Sequence, residues 1–133
     1  MARHPTQVVS LIGMPGSGKS TVGVLLAKRL GLAFVDTDLL IQEQEQATLA
    51  EIIAAKGHKA LRVIEEQVLL DMGIGPSVIS TGGSVVYSKA IMNRLSNTSS
   101  VVYLRSQLAT VEYRISLAPV SYTHLRAHET VMN

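Results

Sequence analysis

The sequence contains no cysteine and no tryptophan, and its aromatic residues are one phenylalanine and four tyrosines. The missing cysteine excludes disulfides and thiolate metal sites and suits a reducing compartment. Five aromatics, with no basic stripe interleaved among them, argue against a nucleic-acid surface. So does the charge, because 12 Lys+Arg against 10 Asp+Glu leave only +2. No apolar run is long enough to span a membrane, and Met1-Ala2-Arg3-His4-Pro5 lacks the apolar core of a signal peptide. What remains is 133 residues, 47% hydrophobic, enough for the core of one domain. The expectation is a cytoplasmic protein, monomeric, with no nucleic-acid or membrane partner.

The chain is organised around Gly13-Met14-Pro15-Gly16-Ser17-Gly18-Lys19-Ser20-Thr21, which fits G-x-x-x-x-G-K-[ST], the phosphate-binding loop. The apolar run Val8–Ile12 before it predicts a buried strand, and Val22, Leu25, Leu26 and Leu30 after it predict an apolar helix face. Gly13, Gly16 and Gly18 let the backbone bend around a phosphate without Cβ clashes. The N–H groups of the turn then point inward as an anion nest, joined by the positive end of the helix. Lys19 supplies a mobile cation for the β- and γ-phosphates of ATP, and Ser20 a hydroxyl for Mg²⁺. The loop by itself does not name the group that receives the phosphoryl.

Val120-Ser121-Tyr122-Thr123-His124-Leu125-Arg126-Ala127-His128-Glu129-Thr130 resembles one reading frame of a transposase-type sequencing adapter. A segment of such origin carries no information about the fold and is set aside. His124 and His128, at i, i+4 spacing, therefore carry no metal site. The expectation is a native domain over residues 1–119, stopping near Pro119, and a non-native tail over 120–133.

Strand and helix signals alternate along the rest. Strands are predicted at Val8–Ile12, Leu32–Val35, Ser77–Ser80 and Ser100–Leu104. Helices are predicted at Ser20–Leu30, capped by Gly31, from Asp38 as N-cap through Ile41, and at Leu49–Lys56 behind the capping box Thr48–Glu51. Gly57 stops that last helix, and further helices follow at Lys59–Met72, Ser88–Leu95 and Leu108–Leu117. Leu61, Ile64, Val68 and Leu69 form the apolar face of the helix after Gly57. Strands apolar on both faces, alternating with helices, predict a parallel sheet covered on both sides, with ligands at the carboxyl ends of its strands.

The other polar groups of interest sit at those ends. Asp36 and Asp38, two residues apart after the second strand, can divide the work beside a magnesium nucleotide. One would hold metal water and the other would accept the proton of an attacking hydroxyl. They can equally be a strand-end turn that caps the next helix. Arg62 sits on a helix apolar at its inward positions and can clamp an anion, or pair at the surface with Glu65 or Glu66. Gly82-Gly83 after Ser80-Thr81 offers backbone N–H groups, or is an ordinary turn.

The order G-M-P-G-S-G-K-S-T, F-V-D-T-D, L-R-V-I-E-E and S-T-G-G-S resembles the shikimate kinase family over about Gln7 to Leu117. The resemblance implies a three-layer α/β/α phosphate-loop kinase fold with a parallel sheet, here lacking the lid, the last strand and the last helix. It implies that Gly13, Gly16, Ser17, Gly18, Lys19, Ser20 and Thr21 bind ATP, and that Ser20 and Asp36 hold Mg²⁺. Asp38 would bind the ring hydroxyl of shikimate and act as, or orient, the base beside Lys19. Arg62 would grip the carboxylate, and the Gly82 and Gly83 backbone would face the substrate. Arg114 matches the arginine that lies against adenine, or is a solvated arginine near Glu112.

The implied reaction converts ATP and shikimate to ADP and shikimate 3-phosphate, in aromatic amino-acid biosynthesis. The sequence departs from the family at Ser84, where a third glycine is usual, and at Leu61, where an aromatic is frequent. Beyond Leu117 the lid arginine and a second carboxylate-binding arginine are missing, so the chain as written is expected to express poorly and turn over little substrate. Another small-molecule kinase, such as a gluconate kinase, and a non-catalytic ligand-sensing module are the alternatives.

Overall fold

The computed structural model describes residues 7–14, 16–105 and 130–132, the last three through their backbone alone. The helix predicted at Leu108–Leu117, Arg114 within it, and most of the tail lie outside the described residues.

Strand β1 (Val8–Gly13) is buried along its whole length. It pairs in parallel with β3 (Ser77–Ser80) on one side and β4 (Ser100–Leu104) on the other. Strand β2 (Ala33–Asp36) pairs in parallel with β3, which puts the strands in the order β2-β3-β1-β4. Two separate cores show that both faces of the sheet are covered. On one face Val9, Leu11 and Val78 pack with Ala27 of helix α1 (Lys19–Leu30). On the other, Ile12 packs with Ile41 of α2 (Thr37–Glu45), Val68 and Leu69 of α3 (Leu49–Asp71), and Ile91 and Leu95 of α4 (Lys89–Thr98). This is the three-layer arrangement that strands apolar on both faces require.

The predicted stops act as stops. Gly31, at φ 72°, caps α1 in the left-handed region, and Thr48 and Glu51 form the capping box that opens α3. Gly57, at φ 90° and ψ 167°, breaks the helical path of α3, so the two predicted helices follow each other with one non-helical residue between them.

Two expectations are corrected, and one element was not foreseen. Leu25 is exposed, and the buried side of α1 runs through Gly23 and Ala27. A side chain at Gly23 would strike the Phe34 ring, with Cβ 2.6 Å from Cε1, so the helix seats its smallest residue against the sheet. The N-cap of α2 is Asp36, not Asp38, because Asp36 Oδ1 accepts from the Asp38 and Leu39 N–H groups. Finally, a fifth strand, β5 (Thr130–Met132), pairs antiparallel with β4 from within the segment set aside as a tail. An open edge presents unpaired N–H and C=O groups that any extended segment within reach satisfies.

Two side-chain ties lock strand ends together where the cleft begins. Thr81 Oγ1 donates to Leu11 O at 2.8 Å, joining the end of β3 to β1. Thr37 Oγ1, fully buried, donates to Ser80 O at 3.3 Å, joining the start of α2 to β3. The middle residue of Asp36-Thr37-Asp38 is thus an internal anchor that turns its flanking aspartates outward to the crevice.

Candidate functional site

The end of β1 sets the geometry of the site. Gly13 has φ 151°, and a Cβ there would lie 2.5 Å from Leu104 O of β4, so only glycine lets the chain leave the sheet at this point. The loop turns back through a Ser17 N–H to Met14 O bond and enters α1 at Gly18, φ 94°. No side chain caps α1, and its first turn holds no acidic residue. The first N–H groups of the helix are therefore left for an anion. Lys19 lies inside the loop, donating from Nζ to Gly13 O at 2.7 Å and Met14 O at 2.9 Å. Burial pulls its pKa down to about 8, against the opposing pull of the Asp38 and Asp36 charges.

A cleft of ≈ 430 Å³ opens above the strand ends. One end is lined by Gly16, Gly18, Lys19, Ser20 and Thr21 of the loop and α1. The other is lined by Asp36, Asp38, Gly82, Gly83 and Ser84, with Leu61 and Glu65 from α3. Gly13 and Ser17 lie behind the loop as its frame, and Arg62 is outside the lining.

Three carboxylates have different surroundings. Asp36 is committed through Oδ1 to capping α2. Asp38 is half-buried, and among the described residues no protein donor reaches its carboxylate. Burial first, then the Asp36 charge, push its pKa above the ordinary aspartate value, with Lys19 pulling the other way. Glu65 is 6% exposed and accepts from Ser84 Oγ at 2.7 Å. Its pKa is raised by burial and by Asp38, against the Ser84 hydrogen bond and the Arg62 charge. A Cβ on Gly82 would lie 2.8 Å from Glu65 Oε2 and 2.9 Å from Asp38 Oδ1, so both carboxylates converge on the bare backbone of that glycine.

Arg62 is exposed, with its guanidinium 5.5 Å from the centre of the Tyr87 ring. It is neither among the inward residues of α3 nor paired with Glu65 or Glu66. Arg62 and Tyr87 form a cation–π contact beside the acidic end of the cleft.

A family model described as shikimate kinase matches residues 15–126. The chain belongs to the shikimate kinase family. A shikimate kinase of Paracidovorax citrulli is 41% identical over 107 residues, which are 78% of this chain and 58% of that protein. Shikimate kinase 2 of Yersinia pseudotuberculosis is 36% identical over 114 residues, 86% of this chain and 66% of that protein. The chain therefore spans less than two thirds of the length of these relatives. A solved shikimate kinase from Acinetobacter baumannii, in complex with shikimate, superposes with a TM-score of 0.78 at 31% identity, covering 81% of this chain and 61% of that one.

Two departures from the usual shikimate kinase pattern have structural answers. Ser84 has φ −99°, so its position does not need glycine. Leu61 is half-buried and lines the cleft, so that wall stays apolar without an aromatic ring.

The donor set also suits the Mg²⁺ that the family implies. Among the described residues no cluster of three His, Cys, Asp or Glu side chains would hold a metal alone. The Ser20 hydroxyl and the second oxygen of Asp36, each without a partner among the described residues, match an ion that takes few protein oxygens and completes its shell with phosphate and water.

Glu65 is the cleft residue that sequence reasoning did not single out, naming it only as one possible surface partner for Arg62. The signal was in the helix period. Glu65 lies four residues after Leu61 and three before Val68, inside the apolar face. An acidic group there faces the interior.

The raised pKa values carry a stability cost with a definite sign. A carboxyl whose folded pKa lies above its unfolded value binds more protons when folded, so its contribution to stability falls as pH rises through the folded value. Glu65→Gln is expected to raise Tm near pH 7, with the gain closing below the unfolded glutamate value of 4.5. Paired thermal melts at the two pH values check this. An equal gain at both would show that ionisation is not the cause.

Proposed function

We propose that this chain carries the nucleotide and acceptor sites of an ATP-dependent shikimate kinase, and that in the whole protein, whose relatives are longer than this chain, these sites transfer the γ-phosphoryl of ATP to the 3-hydroxyl of shikimate. The observation that carries the reading is the Asp38 carboxylate. It is half-buried, raised in pKa and without a protein donor among the described residues, and it faces the cleft with Lys19.

In this reading the loop N–H groups and the open end of α1 bind the triphosphate. Lys19 exchanges its carbonyl partners for phosphate oxygens, and that contact restores its proton affinity. Asp38 accepts the hydrogen bond of the 3-hydroxyl and takes its proton as that oxygen bonds to the γ-phosphorus. The bond from phosphorus to the β–γ bridging oxygen breaks, leaving ADP and shikimate 3-phosphate. The raised pKa of Asp38 makes it a better base than a solvent-exposed aspartate. Ser20, and Asp36 through water, would hold Mg²⁺. When bound, that ion neutralises charge on the β- and γ-phosphates.

Gly82 and Gly83 present backbone to the ring, and Glu65 accepts from a second hydroxyl. Arg62 reaches the carboxylate from the rim. The Asp38–Glu65 pair at the acceptor end supports an acceptor with more than one hydroxyl. A monomer in the cytoplasm, working in aromatic amino-acid biosynthesis, fits this reading.

ADP release by the completed chain, measured with shikimate, with gluconate and with no acceptor, tests it. Stimulation by shikimate alone is expected. Stimulation by gluconate alone would reassign the acceptor, and shikimate binding without turnover would favour a ligand-sensing module. Arg62→Ala is expected to raise the shikimate KM about tenfold or more, as loss of a charge-assisted contact does, with the ATP KM unchanged. An unaltered shikimate KM would return Arg62 to a purely surface role.

A further inference from the structure

Ser84 stands where a third glycine is usual, and it uses its side chain. Its hydroxyl donates to Glu65 Oε1 at 2.7 Å, while Glu65 Oε2 faces Gly82 beside Asp38 Oδ1. Two carboxylates at one end of a cleft repel each other, and burial penalises both charges. An unrestrained Glu65 has two ways out. It can rotate away from Asp38, or it can take up a proton and turn one of its two acceptor oxygens into a donor. The Ser84 hydroxyl works against both, because it ties one oxygen in place and favours the charged form. Glycine at this position has no group with which to do so.

The tie is part of a longer clasp. Ser88 Oγ donates to Glu66 Oε2 at 3.1 Å, and Tyr87 holds Arg62, so three residues of the β3–α4 loop grip three of α3. Of these contacts, only the Ser84 one reaches into the cleft.

We propose that Ser84 is a positioning residue that sets acceptor specificity. By holding Glu65 it keeps a second carboxylate acceptor beside Asp38, so the site selects a polyol with hydroxyls on adjacent carbons. This rests on the acceptor reading above. The charged groups facing Glu65 are Asp38 from α2 and Arg62 from its own helix. Ser84 tips the balance between them without adding charge.

The experiment compares wild type with Ser84→Gly, Ser84→Ala and Ser84→Thr in the full 133-residue chain. The Glu65 carboxyl is titrated by carbon NMR, and shikimate and ADP binding are measured by calorimetry. Ser84→Gly introduces the usual family residue and so preserves the fold. Ser84→Gly and Ser84→Ala are expected to move the Glu65 midpoint to higher pH. They are also expected to weaken shikimate about fivefold, the size of one lost hydrogen bond. ADP affinity stays unchanged, and Ser84→Thr restores both quantities. A purely structural role would instead weaken ADP and shikimate together.

A Glu65 midpoint and a shikimate affinity that are the same in Ser84→Gly as in wild type overturn the proposal. A shifted midpoint in a protein that does not bind shikimate at all overturns the acceptor reading, and the specificity role with it. The hydrogen bond alone would then stand.

Discussion

Asp38→Asn is expected to lower phosphoryl transfer to shikimate by about 10²–10⁴, the usual contribution of a positioned general base. ADP and ATP affinities should stay within about twofold. The amide preserves the size and polarity of the side chain and removes only its ability to take a proton. Asp38 stands across the cleft from Lys19 and carries none of the loop contacts, so the nucleotide end has no reason to move. ADP release with saturating shikimate, together with direct nucleotide titration, checks both halves. If turnover survives, Asp38 is not the base, and Glu65, the other raised carboxyl in the cleft, becomes the next residue to replace. If nucleotide binding is lost as well, Asp38 supports the loop rather than the chemistry.

Gly13→Ala is expected to cost about 3 kcal/mol or more of folding stability. A non-glycine residue at strongly positive φ costs about 1–3 kcal/mol, and overpacking against an immovable neighbour costs a similar amount. Both apply here. The backbone sits at φ 151°, and the new Cβ would meet Leu104 O at 2.5 Å, a backbone atom held in the β1–β4 ladder. Relief requires prising β4 from the end of β1, where the phosphate loop starts. Nucleotide binding should therefore fall along with stability.

The controls lie in the same chain. Gly73 and Gly75 have no atom within 4 Å of a built Cβ and no positive φ, so alanine there should be near neutral or slightly stabilising. Gly57, at φ 90° with open space around it, isolates the strain of backbone conformation from the clash. Denaturant melts of the four variants separate the two causes. Equal losses at Gly13 and Gly57 would show that contact with Leu104 adds nothing.

Much of this was legible in the chain itself. The phosphate loop announces itself because an anion nest needs residues without Cβ at fixed offsets, and that need is local. The capping box at Thr48 and Glu51 and the stop at Gly31 are local as well, each satisfied within one turn of helix. The four parallel strands follow from apolar runs that no solvent-facing strand would tolerate.

The missed or misplaced features all depend on what lies across the sheet. Whether Asp36 or Asp38 caps α2 was undecidable from residue type, since either suits an N-cap. The buried tie from Thr37 to Ser80 rotates the segment so that Asp36 takes the cap and Asp38 faces the cleft. Leu25 matched the helical period of α1, yet Gly23 and Ala27 face the sheet, because the Phe34 ring leaves room only for a small residue. Arg62 by pattern could clamp an anion or pair at the surface with Glu65 or Glu66, and among the described residues it pairs with neither glutamate. It lies outside because Glu65, one helical turn on, takes the inward place, and Tyr87 from a separate loop offers the guanidinium a ring.

The sequence by itself determined the class of ligand at one end of the cleft and the resemblance that names the family. A phosphate loop is a short-range object, and its residues are adjacent. Only the tertiary structure decided how the other end of the cleft, proposed for the acceptor, is built, bringing together Asp38 from α2, Glu65 from α3 and Gly82 and Ser84 from the loop after β3. The roles there are set by distance and burial. A carboxylate becomes a base, a cap or a held acceptor according to which oxygen finds a donor and how much water it loses. Neither quantity is defined until elements distant in sequence pack against one another.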